Sequence, residues 1–234
     1  MLNDHARISV ADSFHTVLVI VRGEAIHGRG LLLLNASETE ARIKHLDGFV
    51  AVTFFSNESC DTIGEYVQWR TPAHLGAAFR RPEFHEHLPV VESLASAEVG
   101  FYSVERVITG GDDDALIIGP SFAGTVDLQV LNIPQGSIAA VIARMVTWAE
   151  AVKKSSNSLR AVVVHADRAN AKAALLMHHA ATGVESVWYS DPETSQIDRS
   201  ERMIRYTTVS APGANERPLR YVMSATRAHP GRVS

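Results

Sequence analysis

The sequence predicts an α+β protein made of two tandem copies of one β-α-β-β-α-β unit. Three observations support this fold class: the order of strand-like and helix-like segments in the first half, the return of that order 110 residues later, and turn residues between the segments. The order is that of the split β-α-β, ferredoxin-like arrangement, in which helices cover one face of an antiparallel sheet.

Hydrophobic periodicity places four strands and two helical segments in the first half. Alternation of apolar and polar residues predicts strands at residues 15–21, 49–56, 62–70 and 99–109. Segments with helical spacing lie between them, at residues 24–45 and 72–95. Asp47-Gly48 ends the first helix, and a polar run at 56–59 predicts a hairpin between two strands.

The second half repeats this order with few identical residues. Strands are predicted at residues 125–131, 160–167, 171–180 and 202–210, and a long amphipathic helix at 137–154. The predicted organisation is therefore a first unit at 1–111, a linker at 112–122 with a short strand at 116–118, a divergent second unit at 123–211 and a C-terminal extension at 212–234. Residues 218–226 of that extension have the pattern of an edge strand.

Composition indicates a globular protein without a nucleic-acid partner. Hydrophobic residues make up 46% and charged residues 21% of the chain, and the net charge of −4 offers no basic surface for a phosphate backbone. The longest apolar runs are much shorter than the roughly 20 residues of a membrane span. The first residues lack the pattern of a secretory signal, so we expect a cytoplasmic protein with no membrane partner. Cys60 is the only cysteine, which leaves no internal disulfide and no cysteine-based metal centre.

The most informative stretch is EYVQWRTPAHLGAAFRRPEFHEHL, residues 65–88. It begins as an alternating strand on which Glu65 and Trp69 point to the same face. Trp69 offers a flat apolar wall and an indole N–H, and Glu65 offers a base whose pKa burial would raise toward neutrality. His85 and His87 point in nearly opposite directions on a helix, so the histidines of this stretch predict no metal site.

Together with residues 15–21 and DGFVAVTFF at 47–55, this stretch resembles the antibiotic biosynthesis monooxygenase family. In that family a strand that ends in Gln-Trp-Arg or similar precedes a helix and a Pro-Glu-Phe segment with a following histidine, here residues 82–87. The resemblance covers residues 14–109. It implies ferredoxin-like units that form a dimeric α+β barrel, which two fused units would build within one chain, as a monomer or a homodimer.

The resemblance further implies a monooxygenase of secondary metabolism that oxidises a polycyclic aromatic polyketide-type substrate with O2. Many members do this without metal or bound cofactor, and some tandem relatives are associated with ring-opening oxidation that uses reduced flavin (FMNH2 or FADH2), supplied here by a separate flavin reductase. We predict Trp69 and Glu65 as catalytic residues. Contacts with the substrate are predicted for His74, Arg80, His85, Phe55 and Tyr102.

Two departures from the family pattern leave alternatives open. Cofactor-free members carry an asparagine where Glu65 stands, and a carboxylate donates a hydrogen bond only when it is protonated. His179 stands where the 110-residue shift places the counterpart of Trp69, either in a second pocket or as a hydrogen-bonded core histidine. A non-catalytic tandem barrel that binds an aromatic ligand or a biosynthetic partner is the alternative function.

The haem-degrading branch of the family is a weaker alternative. Its pattern has a second tryptophan about ten residues before an axial histidine. Ala77 and Leu75 stand at that distance before His87 and His85, and neither is aromatic. The sequence therefore disfavours a haem site.

Overall fold

The computed structural model describes residues 5–110, 114–119, 122–134, 136–180, 186, 188–190 and 196–210, the last range with the side chains of 202, 203, 208 and 209. The edge strand predicted at 218–226 lies outside these residues. No helix in the described part of the chain has the length and apolar character needed to span a membrane.

The first half of the chain contains these elements: β1 (Ala6–Ser9), β2 (His15–Gly23), α1 (Ala25–Ala41) followed by a 3-10 turn (Ile43–His45), β3 (Phe49–Ser56), β4 (Thr62–Trp69), α2 (Pro72–Ala78), α3 (Pro82–His85), α4 (Leu88–Leu94) and β5 (Ala95–Thr109). The second half contains β6 (Ala115–Ile118), β7 (Thr125–Asn132), α5 (Ile138–Ser155), β8 (Leu159–Asp167), β9 (Lys172–His179) and β10 (Gln196–Ser210).

Eight strands form one closed antiparallel barrel in the order β10-β3-β4-β2-β5-β8-β9-β7. The first unit contributes β2 to β5 and the second unit β7 to β10, and both units order their strands in the same way. The last strand of each unit pairs with the second strand of the other, through β5–β8 and β10–β3. The predicted fold class, two ferredoxin-like units that build a barrel within one chain, is confirmed.

The 110-residue shift is also the structural register of the repeat. The strands β7, β8 and β9 each begin 110 residues after β2, β3 and β4. The helices follow the same register, because the buried positions Leu31, Leu32 and Asn35 of α1 correspond to the buried Val141, Ile142 and Met145 of α5. Residues 110 apart can therefore be compared as occupants of one place in the fold.

Alternation along the strands divides the core into three layers. One apolar cluster fills the barrel and includes Leu18, Tyr66 and Leu176. A second cluster lies between the first unit's strands and α1 to α4, and a third lies between the second unit's strands and α5. Each strand thus has an interior face and a helix-covered face.

A two-stranded ribbon of β1 and β6 closes one end of the barrel. Ile8 and Ile118 of the ribbon belong to the interior cluster, and the Gln68 side-chain amide donates to the backbone carbonyl of Arg7 at 2.8 Å. The short strand expected at 116–118 is part of β6. Its partner β1 was not predicted, because four residues give too short a pattern for periodicity.

The helical segment predicted at 72–95 is divided into three short helices. Each has a proline in its first turn: Pro72, Pro82 and Pro89. Proline lacks a backbone N–H and clashes with the preceding turn, so it begins helices and interrupts continuous ones. The chain then enters β5 at Ala95, four residues before the predicted start, because β5 pairs with β2 as far as Gly23.

A tyrosine and a histidine meet inside the barrel and join the two units. The Tyr66 hydroxyl lies 3.0 Å from Nε2 of His165. Nδ1 of His165 lies 3.3 Å from the Ala174 carbonyl oxygen, and burial lowers the pKa of His165 to about 4. The imidazole is therefore neutral at physiological pH and serves as a polar contact between β4 and β8.

Helix α1 lies against the β3–β4 hairpin through a glycine. A Cβ atom placed on Gly28 would lie 1.5 Å from the backbone carbonyl oxygen of Cys60, whereas a Cβ on Gly30 would meet nothing within 4 Å. The close approach of helix and hairpin thus depends on Gly28.

We expect Gly28→Ala to lower the free energy of unfolding by about 1–3 kcal/mol, because the added methyl group forces α1 away from the hairpin. Gly30→Ala is the matched control in the same helix and should raise the stability by about 0.5–1 kcal/mol, since alanine loses less backbone entropy. Urea unfolding of both variants measures the difference. Equal effects of the two substitutions would contradict the close approach.

Candidate functional site

Glu65 lies in the middle of β4 on the face that α1 covers. Its cross-strand neighbours are Val19 of β2 and Phe54 of β3. From the helix, the Asn35 side-chain nitrogen donates a hydrogen bond of 2.6 Å to Oε1 of Glu65. A single carboxyl group is thus held between apolar strand neighbours and one amide.

These surroundings bring the pKa of the Glu65 carboxyl group close to neutral pH. Burial raises the pKa of Glu65 to about 7, although the hydrogen bond from Asn35 acts in the opposite direction. A carboxyl group with this pKa can both accept and return a proton near neutrality, which is the property of an efficient general base.

Asn35 is a functional candidate that the sequence analysis missed. The residue is buried, and its Oδ1 atom has no hydrogen-bond partner among the described residues. An unpaired buried amide oxygen is costly, so it marks a place for an additional donor. The signal in the sequence was an asparagine on the buried stripe of α1 that also carries Leu31 and Leu32.

Trp69 lies on the same face as Glu65, further along β4. Val67 stands between them, and four residues of a strand separate the two positions by roughly 13 Å. The indole is 1% exposed, with Phe49 edge-on at 5.5 Å between ring centroids and Phe84 tilted at 6.5 Å. The slot expected beside Trp69 is therefore filled by aromatic side chains in this conformation.

Three of the predicted substrate contacts lie on or near α2 and α3. The His85 ring lies 5.7 Å from that of Phe84, at the exposed edge of the aromatic cluster around Trp69. Nδ1 of His74 is 2.8 Å from the Thr71 hydroxyl, so His74 helps to fix the start of α2. Arg80 is exposed to solvent at the end of that helix. His85 is connected to Trp69 through Phe84, whose ring lies near both.

Phe55 and Tyr102 were predicted to contact the same substrate, and the structure corrects this. Both side chains point into the barrel, on the opposite side of the sheet from Trp69. In β3 it is Phe54, one residue earlier, that faces the helices. A cavity beside Phe55 has a volume of only about 10 Å³ and an apolar lining, so it has no room for an aromatic ring.

The second unit places different residues at the corresponding positions. Leu175 stands where Glu65 does and Met145 where Asn35 does, and both belong to an apolar cluster. His179 stands in the place of Trp69. The fold therefore does not require the polar pair of the first unit, because the second unit has apolar residues at both positions.

Comparison with known proteins identifies the fold. No family model matches the chain, and no curated protein matches it. Among solved structures, an anthrone oxidase-like protein superposes with a TM-score of 0.76 at 16% identity, over 92% of this chain and 100% of its own.

Two bacterial proteins share the fold at lower similarity. A candidate monooxygenase from Fusobacterium nucleatum gives a TM-score of 0.55 at 9% identity, over 88% of this chain and 99% of its own. One from Lactobacillus acidophilus gives 0.52 at 10% identity, over 85% and 96%. The chain therefore shares the fold of these three proteins, in agreement with the resemblance found in its sequence.

We expect the double variant Asn35→Met/Glu65→Leu, which copies the second unit, to be more stable than the natural protein at high pH. A raised carboxyl pKa means that stability is fully present below the ordinary pKa of about 4.5 and is lost as pH rises through about 7. The advantage of the variant should therefore grow by up to about 3 kcal/mol between pH 4.5 and pH 8.

Urea unfolding at several pH values measures this difference. His165 titrates in both proteins, so its contribution cancels in the comparison. The control is Glu58→Gln in the exposed hairpin loop, which should leave the pH profile unchanged. Parallel stability profiles for the natural protein and the double variant would show that Glu65 titrates normally.

Proposed function

We propose that the protein is a monooxygenase that oxidises a polycyclic phenolic substrate of the aromatic polyketide class with O2, and that Glu65 is its base. The observation that carries the proposal is the Glu65–Asn35 pair, a carboxyl group with a pKa of about 7 on the strand face that also holds Trp69. The fold shared with an anthrone oxidase-like protein supports the reaction class.

The first step is removal of a proton from the substrate. In an anthrone the methylene carbon lies between two aromatic rings and is conjugated with a carbonyl group, so its C–H bond is acidic. The Glu65 carboxylate takes this proton and leaves a carbanion that the rings and the carbonyl stabilise. The Asn35 amide can donate to the carboxylate through nitrogen and accept from the protonated acid through oxygen. It can therefore bind Glu65 in both protonation states.

The second step is direct reaction of the carbanion with O2. A carbon–oxygen bond forms, and the peroxide oxygen takes the proton back from Glu65 to give a hydroperoxide. Glu65 then removes the remaining hydrogen of the same carbon while the oxygen–oxygen bond breaks, and the hydroxide that leaves takes this proton to become water. One oxygen atom ends in the new carbonyl and the other in water, and the substrate supplies all the electrons.

A substrate that reaches Trp69 has to displace aromatic side chains. Phe84 lies on α3, a helix of four residues, and contacts Phe79, which is 38% exposed. Because α2 to α4 are short and proline-initiated, moving α3 aside disrupts less of the structure than opening the barrel. We infer that substrate enters between α3 and the end of β4.

The second candidate function is a non-catalytic barrel that binds an aromatic ligand or a biosynthetic partner. The filled space around Trp69 is the observation that favours it. In that case an aromatic compound would bind without O2 uptake, and reduced flavin with a flavin reductase would not change this result.

Oxygen uptake with 1,8-dihydroxyanthrone tests the proposal, with the spontaneous oxidation of an enzyme-free blank subtracted. We expect Glu65→Gln to lower kcat by about 10²–10⁴-fold, the usual contribution of a general base. The rate of the natural protein should rise with pH through about 7, since the base acts in its ionised form, and the variant should lose this dependence.

Glu58→Gln is again the control and should retain full activity. Trp69→Phe should lower kcat more than it raises KM, because the ring wall is kept and the indole N–H is lost. The same assay with reduced FMN and a flavin reductase shows whether flavin is needed. Binding without oxygen uptake in every arm, or undiminished uptake in Glu65→Gln, would exclude the proposed role of Glu65.

A further inference from the structure

The second unit has its own buried polar cluster on its helix-covered face. Asp127 of β7 is fully buried, and Arg202 of β10 donates to both of its oxygens, through Nε to Oδ1 at 2.7 Å and through Nη2 to Oδ2 at 2.9 Å. Nε2 of His179 lies 3.0 Å from the same Oδ2. Three strands thus bring a carboxylate, a guanidinium and an imidazole together.

The repeat shows that the fold does not need this cluster. The counterparts of Asp127 and His179 in the first unit are Val17 and Trp69, and both belong to an apolar cluster. Replacing a buried ion pair by apolar residues is often neutral or stabilising, so a pair that is kept without a need of the fold indicates another role. The first unit shows the reverse arrangement at Asn35 and Glu65. Among the described residues, each unit therefore has a polar pair at a place where its twin is apolar.

The protonation of the cluster follows from its contacts. Burial would raise the pKa of Asp127, but hydrogen bonding and charge from His179 and Arg202 outweigh burial and lower it, so Asp127 is ionised. A nitrogen lone pair 3.0 Å from a carboxylate oxygen would be repelled, so Nε2 of His179 carries a proton, although the contact is oblique for a hydrogen bond. In an imidazole that carries a single proton on Nε2, Nδ1 is an acceptor.

This acceptor and one polar atom beside it have no hydrogen-bond partner among the described residues. Nδ1 of His179 is buried and has no hydrogen-bond partner in the described part of the chain, and the same holds for Oγ1 of Thr125. Thr125 is the residue directly opposite His179 in the pairing of β7 and β9, so the two side chains are neighbours on one face. His179 is 1% exposed and Thr125 4% exposed.

We propose that His179, held by Asp127, forms a second ligand site in the second unit, which binds the acidic hydroxyl group of a small phenolic molecule. Nδ1 accepts the hydroxyl proton, and Oγ1 of Thr125 provides a second hydrogen bond to the same oxygen. Asp127 stabilises the imidazolium when the proton is transferred, which is the role of the carboxylate in Asp–His pairs. The site does not depend on Glu65, so it stands or fails separately from the proposed oxygenase.

The direct test is a long-range ¹H–¹⁵N spectrum of the full-length protein labelled with ¹⁵N-histidine, titrated with 4-nitrophenol. The His179 signals are identified by their loss in His179→Gln. The spectrum without the phenol shows which ring nitrogen of His179 carries a proton. With the phenol, the Nδ1 signal should move toward its protonated position in a saturable way, while the 4-nitrophenol spectrum shifts toward phenolate.

Adjacent histidines provide the matched control. His178 lies on the same strand, directly before His179, but its side chain points into the barrel. There its Nε2 atom lies 2.9 Å from the Ala123 carbonyl oxygen. His178→Gln and Asn35→Met/Glu65→Leu should retain the Nδ1 response, whereas Asp127→Asn should weaken 4-nitrophenol affinity at His179 at least tenfold. An Nδ1 signal that does not respond at millimolar 4-nitrophenol, or that responds equally in Asp127→Asn, would overturn the proposal.

Discussion

The closure of the barrel by two long strands is the constraint on which the rest of the structure depends. Each of β5 and β10 has 15 residues and pairs with its own unit over its first part and with the other unit over its second. Both junctions contain a register shift, at Val104/Arg106 and at Arg205/Thr207, where a bulge lets the strand bend around the barrel. Since a slip of one residue would exchange the two faces of a strand, closure fixes which side chains meet the helices. Glu65, Trp69, Asp127 and His179 all lie on that side.

The fold does not require polar side chains at the positions of Glu65, Asp127 and His179, because the corresponding positions of the other unit hold apolar residues. Ionised Glu65 makes folding less favourable as pH rises, whereas neutral His165 makes folding less favourable as pH falls, because its pKa is lowered by burial. The two effects act over overlapping pH ranges with opposite sign. The pH dependence that Glu65 adds to the free energy of unfolding is therefore partly offset by that of His165.

Periodicity was sufficient to predict the eight barrel strands, the repeat and its register, because each depends on a regular apolar pattern. The face shared by Glu65 and Trp69 followed from alternation for the same reason. The contact between Asn35 and Glu65 and that between Asp127 and Arg202 were not predicted. Each contact joins elements that are distant in sequence, so it depends on how those elements pack. Phe55 and Tyr102 were predicted as substrate contacts, but both side chains lie in the barrel interior, because aromatic character alone does not state which way a strand residue points. Helical segments were predicted over residues 72–95, and their number follows from the prolines, because each of the three helices has one in its first turn.

Fusion of the two units explains how the polar pairs came to differ. In a homodimer of identical units every substitution appears twice, so a polar pair gained on one helix-covered face appears on both. In a single chain the two faces can change independently while the same strand order closes the barrel. The first unit keeps a carboxyl–amide pair beneath α1, and the second keeps a carboxylate–imidazole pair between β7 and β9. Because each polar arrangement has an apolar counterpart 110 residues away, the stability cost of each can be measured against a sequence that the same fold already accepts.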